Sequence, residues 1–421
     1  MISAARLKMS LPQCPWLTDD RALAYARVIL IISALVYVPY LGFSLIRGGW
    51  DPSGKIVGTD FLCFWTAAKL ALSGAPSEAY HADLQAAFQA AAFPGSGPGY
   101  YAFIYPPVTL LLCLPFGLLP YGMALVLWLL ATGSAYFGVV WTMLGRVRTL
   151  APAVLAFPAV LVNCGHGQNG FLTAALFGGA VLSGAKRPMV AGCCLGALII
   201  KPHLALLVPI ALVAGGWWAT LAAAAAIAAA LVLLSVLILG PATWVAYSEA
   251  ARLARTTLEQ GLVEPEKMQS VFAAVRLWGG SLGLAYGLQL ATTLAVGVAL
   301  ILVVRRACDW RTGAVSLVAG SLLATPYLLD YDLTILAVPL AWLVWRGRQD
   351  GFLRWERIIA AAVFCLPLVS RLVAMQFAVP LGPVGLAAVF ILVSRRALVE
   401  AEGLPADKAL PAADPKLLAP A

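Results

Sequence analysis

Charged side chains are scarce in this sequence, and their scarcity excludes an ordinary soluble protein. Asp, Glu, Lys and Arg make up 11% of the 421 residues, whereas hydrophobic residues make up 62%. A soluble domain carries about 25% charged residues because its surface faces water. The alternative solvent is lipid, in which a spanning helix needs about 20 mostly apolar residues. Such stretches follow one another along the chain, so we predict an all-α polytopic membrane protein without a separate soluble domain.

Metal-ligand spacing is also missing from the sequence. The chain has three histidines and eight scattered cysteines, several of which, such as Cys113, lie inside apolar stretches. Cysteines in such places are typical of small buried side chains. The net charge is +9, but Lys and Arg form short clusters between apolar runs. That pattern indicates membrane topology and not a nucleic-acid surface. We therefore expect neither a metal site nor a nucleic-acid partner.

Hydropathy divides the chain into one membrane domain and two terminal segments. Asp19, Asp20 and Arg21 separate the early basic residues from the first apolar run. A signal peptide lacks such an interruption, so we expect the run at 25–46 to remain as an anchor after a cytoplasmic segment, 1–24. A single transmembrane domain covers 25–395. The tail, 396–421, is rich in Ala and Pro and is expected to be disordered and cytoplasmic.

Two polar stretches interrupt the apolar runs. The first, 47–103, contains two amphipathic helix patterns at 59–73 and 77–93, which are typical of helices lying on a membrane surface. The second, 240–280, is expected to be a polar loop. Further spans are predicted at 104–119, 121–144, 171–183, 188–200, 203–214, 217–239, 282–304, 313–328, 333–345, 358–373 and 379–393.

Clusters of basic residues set the expected orientation. Cytoplasmic loops are enriched in Lys and Arg, so the clusters at 6–21, 186–187, 305–311, 346–357 and 395–396 should face the cytoplasm. About twelve crossings then place both termini inside. This count requires the apolar stretch 151–164 to enter from outside and return without crossing. It leaves Arg146 and Arg148 on the outer side, against the rule.

With this topology, one set of polar residues reaches the outer face. Ionisable groups at membrane depth are costly and mark functional sites. The polar loop with Arg252 and Arg255 lies on the same side. The set consists of Asp60, His166, Gln168, Asn169, Lys201, His203, Asp330 and Asp332.

Each member of this set also has a purely structural interpretation. Asp60 begins a helix pattern and could cap it. Lys201 interrupts an apolar run whose halves, at about 20 Å each, are shorter than the hydrocarbon core, so it is either recessed in a wet region or extends towards the interface from a helix end. Asp330 and Asp332 could cap the helix at 333–345. His166 lies in a turn that is either plain or a binding loop.

These pieces, in this order and spacing, resemble glycosyltransferase family 87, whose members are polyprenyl-phosphate-dependent transferases of the GT-C fold. The resemblance runs from about residue 25 to 395. Its matching pieces are Gly58-Thr59-Asp60-Phe61-Leu62-Cys63-Phe64-Trp65, Tyr105-Pro106-Pro107, Gly165-His166-Gly167-Gln168-Asn169, Lys201-Pro202-His203 and Thr325-Pro326-Tyr327-Leu328-Leu329-Asp330-Tyr331-Asp332-Leu333.

The resemblance implies a GT-C-like bundle that transfers a sugar at the outer face of the cell (inner) membrane. The donor would be a polyprenyl-phosphate hexose with its lipid tail held between helices, and the acceptor a lipid or glycan. The family's acidic residue in the first outer loop corresponds to Asp60, the candidate general base of an inverting transfer. No cofactor is implied beyond the lipid-linked sugar.

The remaining family positions imply donor binding. Lys201 is the first candidate for the phosphate, and Arg252, Arg255 and Arg276 are weaker ones. The other residues expected at the donor phosphate or sugar are His203, Tyr105, His166, Gln168, Asp330, Tyr331 and Asp332. Mannosyltransferases of the family carry histidines after the first Asp of the late acidic motif, where this chain has Tyr331 and Asp332. The resemblance therefore does not select mannose.

A lipid or small-molecule transporter is the alternative function. Transporters also combine recessed charges with broken helices. They often consist of two halves of similar hydropathy, and this sequence has no clear internal repeat. A binding protein that has kept the fold without catalysis is a third possibility.

Overall fold

The chain folds into helices that run between two opposite ends of the molecule. The structure is a computed structural model that describes residues 16–52, 54–95, 100–307 and 309–401. Within these ranges, the only extended pairings are the isolated bridges Trp50–Ile56 and Met268–Leu329. The α-helices, in chain order, are α1 (Asp19–Ile46), α2 (Thr59–Leu72), α3 (Ala82–Ala92), α4 (Pro107–Gly117), α5 (Tyr121–Met143), α6 (Ala151–Ala156), α7 (Pro158–His166), α8 (Gly170–Ser183), α9 (Pro188–Ala197), α10 (Val208–Ala214), α11 (Trp218–Leu239), α12 (Pro241–Glu259), α13 (Val271–Leu277), α14 (Leu282–Arg306), α15 (Trp310–Ala324), α16 (Ala337–Asp350), α17 (Glu356–Phe377) and α18 (Leu381–Ala401).

Five of these helices are long and apolar enough to cross a membrane: α1, α5, α11, α14 and α17. A sixth crossing results if α6 and α7, which meet at a bend of 50°, form one span. Helices α4, α8, α9 and α10 are apolar but shorter. The chain is therefore an all-helical, multi-pass membrane protein, as its composition predicts.

Basic residues gather at one end of the bundle, which we call the arginine-rich end. Asp19 at the start of α1 lies 2.5 Å from Arg348 and 3.4 Å from Arg357. Arg396 of α18 lies 3.1 Å from Glu356 at the start of α17. The same end holds the turn between α5 and α6, because a Cβ on Gly145 would lie 3.8 Å from the Trp345 ring.

The stretch 151–164 joins the two ends of the molecule and does not return to the face from which it starts. Helix α6 begins beside the arginine-rich end, where Leu150 lines the same cavity as Asp19. Helix α7 ends at His166, which lies 3.6 Å from Asp60. The prediction of a re-entrant segment was therefore wrong, because Pro158 breaks one span into two short helices. Arg146 now lies at the arginine-rich end.

The predicted span at 104–119 is also corrected. Helix α4 covers only 11 residues, about 16 Å at 1.5 Å per residue, whereas the hydrocarbon core is about 30 Å thick. Both of its ends stay beside α2. Tyr105, before α4, packs on Phe64 at 5.0 Å between ring centroids, and Phe116 near its C-terminus packs on Phe61 at 6.3 Å.

The first polar stretch is more buried than the sequence indicates, and the second is more helical. Helix α2 corresponds to the first amphipathic pattern, but it is buried on almost every side by α4, α5 and the 3-10 turn Pro76–Tyr80. It is therefore a core helix and not a surface helix. The stretch 240–280 contains α12 and α13 instead of a loop. Helix α18 continues to Ala401, so the expected tail begins later, and 402–421 lie outside the described residues.

An apolar cavity of about 260 Å³ lies near the arginine-rich end, between α1, α5, α16 and α17. Its lining includes Ala26, Tyr136, Phe157, Ala341 and Phe364. Helix α1 packs mainly on α6, and most of its hydrophobic surface stays exposed. The cavity includes neither Asp60 nor Lys201.

The position of the α5–α6 turn gives the first prediction. In a background without other reactive cysteines, Arg146→Cys should be labelled by a membrane-impermeant thiol reagent only after cell lysis. Arg146 and the control position, Lys55, are both exposed. The basic cluster at the end that holds Arg146 should face the cytoplasm. The matched control is Lys55→Cys in the first loop, which should be labelled in intact spheroplasts. Labelling of Arg146→Cys in intact spheroplasts would contradict this topology.

Candidate active site

Gly58 connects the first loop to the C-terminal end of α7 by a backbone hydrogen bond. Gly58 has a left-handed φ of 73° and comes directly before α2. Its N–H donates to the carbonyl of Gly165 at 3.0 Å. Asp60 lies in the first turn of α2, and its side chain is 24% exposed. The helix has no side-chain cap, so the interpretation of Asp60 as an N-cap is not supported.

The Asp60 carboxylate is held by the turn at 165–169. Gln168 Nε2 donates to Asp60 Oδ2 at 3.2 Å and to the Tyr105 hydroxyl at 2.8 Å. His166 Nδ1 lies 3.6 Å from the same Oδ2. Among the described residues, none donates a hydrogen bond to Asp60 Oδ1. One carboxylate oxygen is therefore oriented by the protein, while the other is open to a ligand.

Lys201 forms a buried ion pair next to the turn that holds this carboxylate. It lies between two 3-10 turns, Leu198–Ile200 and Pro202–Ala205. Its Nζ lies 2.5 Å from Asp332 Oδ1 and 3.3 Å from Asn169 Oδ1. The Lys201 side chain is 1% exposed and that of Asp332 is 0% exposed. Lys201 is therefore recessed and does not extend to the interface, and its charge is already matched by a carboxylate.

Asp332 has a second partner, which makes it a cap as well. Its Oδ2 accepts a hydrogen bond from the N–H of Leu329 at 3.2 Å, at the start of the 3-10 turn Asp330–Leu336. Tyr331 in that turn contacts both halves of the site: its ring lies 4.8 Å from Lys201 Nζ and 5.7 Å from the His166 ring. The turn therefore connects the ion pair to the Asp60 pocket.

Asp330 lies near a different cation, Arg371. Its Oδ1 accepts a hydrogen bond from the N–H of Tyr331 at 2.9 Å, and its Oδ2 lies 3.8 Å from Arg371. Burial raises the pKa of Asp330 above its usual value, and the charges of His166 and Arg371 oppose that shift. His203 packs edge-on against Tyr327 at 6.0 Å. Its Nε2 is buried without a hydrogen-bond partner among the described residues.

Eight of the residues expected from sequence are connected in one cluster, whereas His203, Arg252, Arg255 and Arg276 are not part of these contacts. The connected residues are Asp60, Tyr105, His166, Gln168, Lys201, Tyr331, Asp332 and Asp330. Arg252 donates to the carbonyl of Ser248 in its own helix, and Arg255 pairs with Glu259. Both arginines lie on exposed positions of α12. Their partners belong to the same helix, so neither contact involves the cluster.

From the sequence alone, no role was assigned to two further residues of the site. Asn169 was placed in the polar set without a role, yet it accepts a hydrogen bond from Lys201. Arg371 lies inside the apolar run that predicted the span at 358–373. An arginine in such a run is itself the signal that could have identified it.

The ion pair gives the second prediction. Lys201→Met leaves a buried carboxylate unpaired, which typically costs about 3–5 kcal/mol. We expect a clear fall in the unfolding temperature of the detergent-solubilised protein. The double variant Lys201→Met/Asp332→Asn should recover part of the loss, because it removes the stranded charge. The exposed pair supplies the control: Arg255→Gln should leave the unfolding temperature unchanged. An unchanged temperature for Lys201→Met would argue against a buried ion pair.

Gly167 gives the third prediction. Its φ is +66°, and a Cβ there would lie 2.6 Å from Phe61 Cβ in α2. Gly167→Ala should therefore displace the turn from α2 and lower both the unfolding temperature and any Asp60-dependent activity. Gly261→Ala is the control, since Gly261 has φ +76° and open space around it. It should show only left-handed backbone strain, about 1–2 kcal/mol. Equal effects of both substitutions would mean that the contact with Phe61 is unimportant.

The sequence matches the model of one known protein family. The model of glycosyltransferase family 87 matches residues 103–326, more than half of the chain. The matched segment contains Tyr105, His166, Gln168, Lys201 and His203, whereas Asp60 and Asp330 lie outside it. No curated protein matches, and no solved structure matches. The chain therefore belongs to glycosyltransferase family 87 and is a multi-pass membrane glycosyltransferase.

Proposed function

We propose that this protein transfers a hexose, with mannose among the candidates, from a polyprenyl-phosphate donor to a hydroxyl of a lipid or glycan acceptor. Asp60 acts as the general base of an inverting transfer. The observation that carries this proposal is the difference between the two oxygens of its carboxylate. Oδ2 is fixed by Gln168 at 3.2 Å, and Oδ1 is left without a partner among the described residues. The side chain is partly exposed, so an acceptor can reach it.

The reaction is a single displacement at the anomeric carbon. The acceptor hydroxyl gives its proton to Asp60 while its oxygen forms the new glycosidic bond. The bond between the anomeric carbon and the phosphate oxygen breaks, and its electron pair stays on the polyprenyl phosphate. A general base must approach within about 3 Å of the hydroxyl that it deprotonates. Gln168 and His166 keep Asp60 oriented for this step from the side opposite its open oxygen.

The Lys201–Asp332 pair supports the site through contacts with two neighbouring residues. Its contacts with Asn169 and Tyr331 hold the turn that orients Asp60 and the turn that carries Asp330. We assign Lys201 this positioning role in addition to the electrostatic field that its charge supplies near the leaving group. Tyr105 and His203 contribute to the walls of the sugar or phosphate subsite. The lipid-linked sugar is itself the donor, and no cofactor takes part.

We further propose that the site faces the outside of the cell (inner) membrane, in a GT-C-like bundle of about twelve passes with both termini in the cytoplasm. The supporting observation is that the arginine-rich end and the Asp60 cluster lie at opposite ends of α5, α16 and α17. Loops rich in Lys and Arg stay in the cytoplasm. In this topology α6 and α7 form one pass, α4 forms none, and Arg146 follows the rule.

Asp60→Asn tests the proposal and is the fourth prediction. The amide keeps the shape but cannot accept the proton, so transfer of sugar from a polyprenyl-phosphate hexose should fall by about 10²–10⁴-fold. Binding of the donor should change little. The measurement is product formation by purified protein in lipid nanodiscs, over a panel of donors and acceptors.

The control is Asp83→Asn, which changes an exposed acidic residue of α3 and should retain activity. Full transfer by Asp60→Asn would reject Asp60 as the base. Movement of the lipid-linked sugar between leaflets without any transferred product would favour the transporter instead.

A further inference from the structure

Arg371 is a cation inside one of the longest apolar helices of the chain. It lies near the C-terminal end of α17, in a segment made mostly of apolar residues. A charged side chain at such a position is costly and is normally retained for a purpose. Helix α17 packs on α7 and on the 3-10 turns Pro265–Lys267 and Asp330–Leu336. Arg371 therefore stands beside the segments that carry the Asp60 cluster.

The guanidinium of Arg371 is only loosely engaged. It lies 3.6 Å from Glu264 and 3.8 Å from Asp330, and its side chain is 35% exposed. Both separations exceed those of charge-assisted hydrogen bonds, about 2.7–2.9 Å. In the part of the chain that the structure describes, no group accepts a hydrogen bond from it. Lys201, in contrast, is buried and already bound to Asp332.

Both acidic neighbours of Arg371 have other partners. Glu264 lies 2.9 Å from Lys267, and the hydrogen bond from Lys267 lowers the pKa of Glu264. Asp330 accepts a hydrogen bond from the Tyr331 N–H, and burial raises the pKa of its carboxyl group. Neither acid therefore fully neutralises Arg371. An incoming anion would find a planar, partly exposed donor fork at the rim of the cluster.

We propose that Arg371 binds the phosphate of the lipid-linked donor and of the polyprenyl phosphate that leaves. This inference rests on the proposed function and replaces Lys201 as the group in direct contact with the phosphate. A guanidinium matches two phosphate oxygens at once. During transfer the phosphodiester becomes a phosphomonoester and gains negative charge. Arg371 therefore stabilises the leaving group more than the ground state, which is the requirement for catalysis.

The path from Arg371 to Asp60 runs through residues in contact. Asp330 lies next to Arg371, and the following residue, Tyr331, packs on the His166 ring at 5.7 Å. His166 lies 3.6 Å from Asp60. A donor held at Arg371 would therefore place its sugar beside the residues that lead to Asp60. Neither Arg252 nor Arg255 has such a connection to the cluster.

A purely structural role for Arg371 leads to different expectations. The arginine could serve only to fasten the loop with Glu264 onto α17. In that case Glu264→Gln would have the same effects as Arg371→Gln. In the phosphate-binding role, Glu264→Gln removes a competitor for the guanidinium and leaves phosphate binding intact or stronger.

The experiment measures binding of polyprenyl phosphate and of polyprenol, which lacks the phosphate, to protein in nanodiscs of neutral phospholipid. Arg371→Gln should weaken binding of polyprenyl phosphate by about 10- to 100-fold, the usual range for a lost hydrogen-bonded charge. Its affinity for polyprenol should be unchanged. Arg371→Lys should recover part of the affinity for polyprenyl phosphate. Arg47→Gln, at the same end of α1 as the first loop, is the matched loss of a cation and should behave as the unchanged protein.

Several outcomes would contradict a phosphate-binding role of Arg371. Equal weakening of both lipids, or the same loss in Glu264→Gln, would overturn the proposal in favour of a structural role. Competition by inorganic phosphate as strong as that by polyprenyl phosphate would point to a general anion site, and competition by anionic phospholipid vesicles would point to a headgroup site; either would overturn it.

Activity separates this proposal from the proposed function. If the unchanged protein binds polyprenyl phosphate through Arg371 but transfers no sugar from any donor, the transferase function fails and the phosphate site stands. If Asp60-dependent transfer occurs and Arg371→Gln leaves both donor KM and phosphate binding unchanged, only the phosphate site fails.

Discussion

The buried pair between Lys201 and Asp332 is the contact on which the geometry of the site depends. A charge in a low-dielectric interior is tolerated only when it is paired and its remaining hydrogen bonds are satisfied. Lys201 meets this condition through Asp332 and Asn169, and Asp332 through Lys201 and the Leu329 N–H. Because these residues come from three distant parts of the chain, the pair fixes three irregular segments relative to one another.

The helix breaks and the polar cluster are two aspects of the same feature. The cluster residues lie where regular helix is interrupted, at a glycine turn, before a proline or at a 3-10 turn. Backbone groups at such breaks need partners inside a membrane, and irregular backbone is tolerated there only where it is buried in protein or lines a polar cavity. The breaks therefore gather together, and the side chains that they carry become neighbours.

Much of this arrangement could be predicted from sequence, for an identifiable reason. Polar residues in apolar runs are conspicuous, so Asp60, Lys201 and Asp332 could be selected by hydropathy pattern and motif spacing. Their pairing could not, because a linear pattern does not tell which of several acids faces a given lysine. Arg252 and Arg255 were selected as exposed cations on the same side, and only their contacts with Ser248 and Glu259 separate them from the cluster. The stretch 151–164 was misjudged because the predicted span at 104–119 had been counted as a crossing, and the basic clusters then left no crossing for 151–164.

The apolar cavity beside α1 has a consequence for how this helix is held. Most of its lining is alkyl and aromatic, and such surfaces do not retain water. Asp19, Arg348 and Arg357 line it at the arginine-rich end. Chain segments of the bilayer would then solvate the gap, so α1 rests partly on lipid and partly on α6. Its tilt would respond to bilayer thickness and to the choice of detergent more than the tilt of α5, which is buried to a greater extent in the bundle.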